Sequence, residues 1–483
     1  MNLLGLQGGQ YQPLTQDQVE RIHNTSLSIL EKIGFVYESG LDDTVALLAE
    51  NGAVVDSKKK RILFNRDMIM ENAEKANEQV ILYSRDGKHD LDLSEERVHM
   101  GTGGAAIRIL DPETGERRAS TLQDLYNVSR LVDQLENIHF LVRPCIPTDI
   151  DKADYDINMF YACMAASNKH VMSGVNDEQG LERVVDMASI IAGSREALQK
   201  KPFISVITSF AISPLKLCTQ STRIMQAANR HLIPVVLSSA PMAGSTSPLT
   251  MAGTLAQLHA EQLAGITICM LTNSRAPILY GGIPGLANLA TMGYSGGAVE
   301  FGMMNAAISQ LAHYIKVPNY NSSGLSDSKV PDSQAGWEKA ITSILAAMGG
   351  SNYIHHSAGM LESMLTIAHE QFVLDDEIVG NCMKVLKGIT VDEEHLALEA
   401  IEATGPGGNF MTSPHTMAHM RSEYFFGNGV TDRKNLGKWE QDGSLDARKR
   451  ASDIARNMLS KPAPALISPD ADKKIREKFH ILL

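Results

Sequence analysis

The segment Tyr280–Trp337, YGGIPGLANLATMGYSGGAVEFGMMNAAISQLAHYIKVPNYNSSGLSDSKVPDSQAGW, holds two short β-competent runs on either side of a helical pattern. The runs 277–280 and 317–320 each pass into glycine, asparagine and serine, residues typical of turns close to a ligand. Between them, over 298–314, apolar residues recur at the spacing of one helix face. This order of strand, loop, helix and strand predicts a βαβ unit, whose ligands bind beyond the carboxyl ends of the strands.

The same alternation extends outward in both directions from this segment. Strand-like runs predict seven strands, separated by helical patterns: 139–143, 170–174, 203–209, 234–239, 277–280, 318–322 and 352–356. Parallel strands with right-handed helical crossovers favour an α/β fold, a TIM-like (β/α)8 barrel with one strand still to be placed. A doubly wound sheet is the alternative.

Flanking segments on both sides differ in pattern from this alternating core. Residues 1–118 mix helices with short strand-like pieces and predict an N-terminal α+β extension, followed by the barrel over 119–403. From about residue 404 the chain is rich in glycine and proline and then charged. We expect residues 404–483 to complete the barrel and to contact an oligomer neighbour.

Composition excludes several classes of function. The formal charge of −12 opposes binding to a nucleic-acid backbone. Five scattered cysteines, an odd number without a CxxC motif, argue against a disulfide framework. The N-terminal residues lack a basic region followed by an apolar core, so we expect no secretory signal, no membrane association and a cytoplasmic location.

Two motifs resemble ligand sites in spacing alone. Gly101–Ala106 fits G-x-G-x-x-A, but an extended run follows where a dinucleotide loop needs a helix, so we interpret it as a structural loop. His415 and His419 stand four residues apart, the spacing of metal-binding pairs. Without a clear third ligand we interpret them as structural histidines at a helix start and predict no metal.

Polar residues near the predicted strand ends are the candidates for chemistry. Because side chains alternate along a strand, His355 and His356 should point to opposite faces, with His355 sharing the face of Tyr353. Glu300 ends a glycine-rich segment that could approach a ligand closely, or is a carboxylate favoured by a helix start. Glu261, inside an apolar helical run, is expected to face solvent.

Three further motifs, together with 280–337, carry a family resemblance over about residues 15–449: LSSAPMAGSTSP (237–248), EQLAG (261–265) and TGPGGN (404–409). The chain resembles the trimethylamine methyltransferase family, which passes methyl groups from amines to the Co(I) corrinoid of a separate protein. The resemblance implies a homo-oligomer with no permanently bound cofactor. Members that demethylate trimethylamine carry pyrrolysine, whose counterpart here would lie near residues 324–332. This chain contains only standard residues, and family members without pyrrolysine look like methyltransferases for quaternary amines. The resemblance therefore implies a substrate such as glycine betaine, proline betaine, carnitine or γ-butyrobetaine, with release of a tertiary amine.

The resemblance leads us to assign site roles to residues at the predicted strand ends and in the 293–329 loops. The predicted catalytic residues are His355, Glu300 and Asp327. The predicted substrate-binding residues are Tyr280, Tyr320 and Tyr353 as an aromatic cage for the cation, together with Asn321, His356 and Arg143. His355, Asn321 or Arg143 could bind the substrate carboxylate, and the sequence does not choose among them. Gly296, Gly297 and Lys329 are expected beside the corrinoid of the partner protein. Two alternatives stay open: a betaine-binding protein without catalysis, and a Schiff-base barrel lyase that uses Lys329.

Overall fold

Strands and helices alternate along most of the chain, in a computed structural model that describes residues 5–291 and 293–483. Eight strands of the main sheet, labelled in chain order, are Arg97–Thr102 (β1), Leu141–Val142 (β2), Val171–Ser173 (β3), Ile204–Thr208 (β4), Val235–Leu237 (β5), Ile278–Gly281 (β6), Asn319–Ser322 (β7) and Tyr353–Ala358 (β8). The helices are Gln16–Lys32 (α1), Asp42–Glu50 (α2), Arg66–Lys75 (α3), Leu122–Asp133 (α4), Tyr155–Ala166 (α5), Glu178–Ala192 (α6), Arg195–Lys200 (α7), Thr219–Arg230 (α8), Met251–Thr272 (α9), Val299–Tyr314 (α10), Ser333–Met348 (α11), His369–Lys387 (α12), Glu393–Leu396 (α13), Leu398–Thr404 (α14), Pro414–His419 (α15), Leu436–Gln441 (α16), Ala447–Ser460 (α17) and Pro469–Lys478 (α18).

All eight strands run parallel, in the spatial order β1, β8, β7, β6, β5, β4, β3 and β2. A parallel bridge also joins Gly101 of β1 to Phe140, the residue before β2. Beside it, the His139 backbone N–H donates to the Met100 carbonyl at 2.8 Å. The prediction of an α/β fold with parallel strands is therefore confirmed.

All seven predicted strands are present, and β1 is the eighth. We interpreted Gly101 as part of a loop inside an N-terminal extension, and this was wrong, because Gly101 belongs to β1 in the main sheet. The strand carries a glycine because a Cβ there would lie 2.2 Å from the Phe140 ring. The predicted boundary at residue 118 therefore falls after the first parallel strand.

Side chains on the strands alternate between two apolar clusters. One face packs against the helices, as expected for parallel strands that are buried on both sides. The other face forms a separate cluster with a short hairpin, whose strands are Ile81–Leu82 and Leu91–Asp92. The strand residues of that inner cluster are Phe140, Val142, Met172, Val236, Leu279, Tyr320 and Tyr353.

Segments outside the sheet cover its helices. In the N-terminal part, the Ser26 hydroxyl on α1 donates to the Ala256 carbonyl on α9 at 2.8 Å. At the C-terminal end, Arg448 of α17 pairs with Glu370 of α12 at 3.1 Å. Among the helices described here, none is both long and apolar enough to cross a membrane.

Two buried histidines at the amino ends of β1 and β2 predict an acid-sensitive fold. His99 donates from Nε2 to the Asp92 carbonyl at 3.0 Å, and His139 Nδ1 accepts from the Met100 backbone N–H at 2.9 Å. Burial lowers the pKa of His99 to about 4 and that of His139 to about 3, from 6.5. Because the unfolded chain takes up these protons first, stability is present above about pH 6.5 and is lost as the pH falls toward the folded values.

When the pH falls from about 7.5 to about 5.5, we expect each of these histidines to lower the free energy of unfolding by about 1.4 kcal/mol. Urea denaturation at the two pH values measures the loss. In His139→Asn, whose amide oxygen can still accept the Met100 N–H, the pH dependence should shrink. Equal urea midpoints of the unsubstituted protein at both pH values would contradict the prediction.

Candidate active site

Small and polar residues follow the carboxyl ends of the central strands. Ser238 and Ser239 follow β5, Gly282 follows β6, and Ser323 follows β7. The three serines are almost fully buried. Gly281, the last residue of β6, has a φ of +153°, and a Cβ there would lie 1.7 Å from the Tyr320 carbonyl oxygen. Only glycine therefore lets β6 and β7 approach each other at this edge of the sheet.

His355 and His356 lie side by side at the end of β8, with ring centroids 3.5 Å apart and planes 21° apart. The prediction that they point to opposite faces is wrong, because His356 has a φ of +68° and the pairing of β8 with β1 shifts register between Ile354 and Ala358. Such a left-handed residue breaks the alternation of an extended strand and stores strain, a feature that clusters at functional sites.

The two rings have different surroundings. His356 Nδ1 lies 2.7 Å from the Ser322 hydroxyl, and burial, with the charge of Lys339 as the second cause, lowers its pKa to about 3. His355 is 3% exposed, yet neither ring nitrogen has a hydrogen-bond partner among the described residues. Burial, followed by His356 and Arg143, holds the pKa of His355 well below its usual value, so the ring is neutral near pH 7. His355 thus offers one donor and one acceptor to a ligand.

Two tyrosines lie on the inner side of the sheet, and one of them is beside His355. The Tyr320 ring lies 5.5 Å from the His355 ring, and its hydroxyl lies 3.4 Å from the Ser238 hydroxyl. Tyr353 stacks on Phe140 at 3.6 Å, two residues deeper along β8, and its buried hydroxyl has no partner within the described chain. Tyr320 therefore lies beside His355, and Tyr353 belongs to the same inner apolar cluster as Tyr320.

Tyr294 is a site residue that we did not single out from the sequence. Its hydroxyl is buried without a partner in the described residues, and burial raises its pKa, with further contributions from Tyr320 and Asp327. A Cβ at Gly285 or Gly296 would contact its ring. The sequence feature that could have identified Tyr294 is an aromatic residue inside a glycine-rich loop, because glycines there make room for a large ring.

Arg143 directly follows β2 at the same edge of the sheet. Its guanidinium contacts the Met159 sulfur of α5 at 2.9 Å, and its Nε is buried without a partner among the described residues. A thioether is a weak acceptor, so the cation is poorly satisfied. Its charge contributes to the lowered pKa of His355. Arg143 is thus a cation near the unpaired imidazole, with capacity to bind an anion.

Two predicted substrate-binding residues face the helices instead. Tyr280 lies on the outer face of β6, where its hydroxyl is 2.7 Å from His259 Nδ1 on α9. The Asn321 amide donates to the Asn305 carbonyl at 2.6 Å and to the Ser309 hydroxyl at 2.9 Å on α10. Each is one residue out of phase with the inner face, which holds Leu279 and Tyr320, so neither lies with His355.

Two predicted loop residues, Asp327 and Lys329, line a separate cavity of about 480 Å³ together with Tyr294. Asp327 accepts hydrogen bonds from the Gly296 N–H at 3.1 Å and the Ser363 hydroxyl at 2.6 Å. Asp327 therefore supports the loop that carries Tyr294. Lys329 is exposed, and its amine donates to the Asp327 carbonyl at 2.7 Å.

The other two predicted loop residues have mainly local surroundings. Glu300 is in the first turn of α10, half-buried, where the helix dipole favours a carboxylate. A Cβ at Gly297 would lie 2.3 Å from the Glu338 carboxylate, so that glycine is packed against protein.

From the sequence we did not predict that charged side chains are buried behind the strand ends. Glu261 is fully buried and not solvent-facing as expected, because it accepts from the Ser213 hydroxyl at 2.8 Å, the Leu215 N–H at 3.1 Å and the Ser239 hydroxyl. Burial raises its pKa, and these hydrogen bonds oppose the shift. Lys339 of α11 and Asp375 of α12, both without solvent exposure, form an ion pair at 3.0 Å.

Comparison with known proteins agrees with this architecture. The family model described as trimethylamine methyltransferase (MTTB) matches residues 5–480. The trimethylamine methyltransferase MttB of Desulfitobacterium hafniense strain DCB-2 is 32% identical over 450 residues, covering 93% of this chain and 90% of that protein. The glycine betaine methyltransferase of D. hafniense strain Y51 is 31% identical over 470 residues, covering 96% of each.

One solved structure supports the fold alone. The monomethylamine methyltransferase MtmB of Methanosarcina barkeri superposes with a TM-score of 0.52 at 11% identity, covering 95% of each chain.

Proposed function

The chain belongs to the trimethylamine methyltransferase family, and from this premise we propose that it transfers a methyl group from a quaternary amine to the cobalt of a corrinoid on a separate protein. Glycine betaine, proline betaine, carnitine and γ-butyrobetaine form the substrate class. The observation that carries the proposal is the group of buried polar atoms on His355, Arg143 and Tyr294 that have no hydrogen-bond partner among residues 5–291 and 293–483. Buried polar atoms without partners are costly unless a ligand satisfies them.

We further propose that the eight strands close into a TIM-like barrel with this site at its carboxyl mouth, covered by an N-terminal extension and a C-terminal segment. Two observations support closure: the bridge between Gly101 and Phe140, and the apolar cluster that the inner faces enclose with the hairpin. In such barrels the residues that act on substrates sit at the carboxyl ends of the strands.

Recognition of a betaine requires an aromatic surface for the cation and a positive group for the carboxylate. The Tyr320 and Tyr294 rings would supply the first, each worth about 0.5–2 kcal/mol. The Arg143 guanidinium and the neutral His355 imidazole would bind the carboxylate. Because these groups are buried, their interactions are stronger than in water.

For the proposed methyl transfer, the main task of the protein is to position the methyl group of the substrate. When a methyl leaves a quaternary nitrogen, the bonding pair stays on nitrogen and a neutral tertiary amine departs, so no proton donor is needed. Holding the methyl in line for attack can supply about 7–11 kcal/mol of barrier lowering. A neutral His355 fits this role, since an imidazolium would repel the substrate cation.

The corrinoid, when its carrier docks, would supply Co(I) as the nucleophile. The unpaired Tyr294 hydroxyl and the cavity of about 480 Å³ beside it fit an approach from the loop side of the mouth. Lys329, at the rim of that cavity, would face the corrinoid, and Gly296 would keep the Tyr294 loop close. Glu300 and Asp327 would act by supporting these loops. We also propose a homo-oligomer with a cytoplasmic location.

Anaerobic spectroscopy tests the proposal. The protein is mixed with a Co(I) corrinoid protein and, in turn, with trimethylamine, glycine betaine, proline betaine, carnitine and γ-butyrobetaine. We expect the methyl-Co(III) spectrum to appear with a quaternary amine and not with trimethylamine. Methylation of the corrinoid by trimethylamine would contradict the proposal. So would the absence of methylation with all five amines when a matching corrinoid protein is present. Binding of a betaine without methyl transfer would instead identify a binding protein.

The lyase alternative has a separate test. A Schiff-base lysine is activated by burial or a neighbouring cation, whereas Lys329 is exposed. We expect borohydride with carbonyl substrates to leave no adduct on Lys329, and a mass increase at that residue would revive the lyase.

A further inference from the structure

The chain between α12 and Val430 has a structured course but little packing of its own. Among residues 387–429, all of them described, none is buried, and large apolar side chains such as Ile389 and Met411 are more than four-fifths exposed. The segment nevertheless contains α13, α14 and α15. Within the described residues, these helices therefore bury no side chain in a hydrophobic core.

Histidines and carboxylates concentrate within this segment. The His395 and His419 rings lie 5.1 Å apart, although 23 residues separate them in sequence. Glu423 is four residues beyond His419, and its N–H donates to the His419 carbonyl at 3.0 Å, which continues the turn after α15. One ligand atom from each of His395, His419 and Glu423 lies within 4.8 Å of the other two.

Neighbouring carboxylates orient both imidazoles. Asp392 Oδ1 lies 2.6 Å from His395 Nδ1, which leaves Nε2 of that ring available. Glu394 Oε1 lies 3.4 Å from His419 Nε2. A carboxylate on one ring nitrogen sets the tautomer and raises the basicity of the other nitrogen, as it does in histidines that bind metals.

We propose that His395, His419 and Glu423 bind one Zn²⁺ ion, which links α13 to the end of α15. Two imidazoles and one carboxylate match the ligand preference of Zn²⁺, whereas Mg²⁺ and Ca²⁺ require oxygen ligands. Ligand atoms at about 2.0–2.2 Å from Zn²⁺ stand roughly 3.3–3.6 Å from each other. The side chains therefore need to move by about an ångström, which partly exposed groups can do, and water would complete the tetrahedron.

His415 is left out of the ligand set. Its Nε2 lies 3.2 Å from the Glu394 carbonyl, and its ring packs 4.4 Å from that of His419. It therefore supports the position of His419. From the sequence we interpreted both His415 and His419 as structural histidines, and the proposed site changes that interpretation for His419 alone.

Equilibrium dialysis of the untagged, metal-free protein against Zn²⁺ alone tests the site, with visible spectroscopy after Co²⁺ substitution as the second readout. We expect one tight equivalent per chain and tetrahedral Co²⁺ absorption bands. His395→Ala and Glu423→Gln should each weaken Zn²⁺ binding at least tenfold and remove the bands. Asp392→Asn should weaken binding by about 10-fold to 100-fold.

His480→Asn is the matched control, because His480 is another surface histidine paired with a carboxylate, Asp154, at 2.8 Å. It should bind Zn²⁺ as the unsubstituted protein does. Absence of a tight equivalent would overturn the proposal, and so would binding that persists in both His395→Ala and Glu423→Gln. Circular dichroism confirms that each variant is folded, and Glu423→Gln preserves shape.

Discussion

Replacing Lys339 with methionine should lower the free energy of unfolding by about 3–5 kcal/mol. The Lys339 amine pairs with Asp375 Oδ2 at 3.0 Å and also donates to the Gly324 carbonyl, and both charged side chains are fully buried. Asp375 in turn accepts from the Gly359 N–H at 2.7 Å. Removal of the cation leaves a buried carboxylate without its counter-charge, and this accounts for most of the expected loss.

Urea denaturation measures this loss, and two further variants separate its causes. The double variant Lys339→Met with Asp375→Leu should recover most of the stability, because an apolar pair of similar volume replaces a buried ion pair at little net cost. Lys329→Met removes an exposed lysine and should stay within about 0.5 kcal/mol. A loss below about 1 kcal/mol in Lys339→Met would show that the pair contributes little.

The same substitution reaches the candidate site. Gly324 and Gly359 lie just beyond β7 and β8, and the charge of Lys339 contributes to the lowered pKa of His356. The ion pair thus binds the loops that follow β7 and β8, the strands that carry Ser322 and His356.

Replacing Arg143 with methionine should lower kcat/KM for a betaine roughly 100-fold or more, through KM above all. This expectation follows from the proposed function, in which the guanidinium binds the substrate carboxylate, and loss of one partner of a buried charge pair costs about 2–5 kcal/mol. A quaternary amine without a carboxylate, tetramethylammonium, should lose less than about tenfold. Initial rates of corrinoid methylation with both substrates measure the difference.

Arg130→Met is the matched control for that experiment. Arg130 lies on α4, stacks over Tyr126 at 5.9 Å and donates to the Lys461 carbonyl at 2.6 Å, away from His355. Its removal should leave the ratio of the two substrates unchanged. An equal loss for the betaine and tetramethylammonium in Arg143→Met would mean that Arg143 maintains the strand end and does not bind the carboxylate.

The face of the sheet that a side chain occupies was predictable where the alternation along the strand alone determines it. Tyr320 and Tyr353 share the inner face of the sheet because strands of period two place alternate residues on one face. Tyr280 and Asn321 belong to the same strand ends but lie one position out of phase. Strand phase could have separated them from the sequence, since Leu279 and Tyr320 share the opposite face.

Other features depend on contacts between distant residues. The left-handed turn at His356 follows from a register shift against β1, and periodicity does not reveal it. Glu261 sits in an apolar helix, a pattern equally suited to a solvent-facing carboxylate. Only the approach of Ser213 and Leu215, some 46 to 48 residues away, makes its burial tolerable.

By itself the sequence determined seven parallel strands, the helices between them and the family, because hydrophobic periodicity and long motifs are local properties of the chain. Tertiary structure alone decided that Arg97–Thr102 is the eighth parallel strand, that Lys339 meets Asp375, and that His395 joins His419 and Glu423. Each of these pairings brings together residues far apart in sequence, and their partners are selected by packing and charge, which no single stretch of sequence contains.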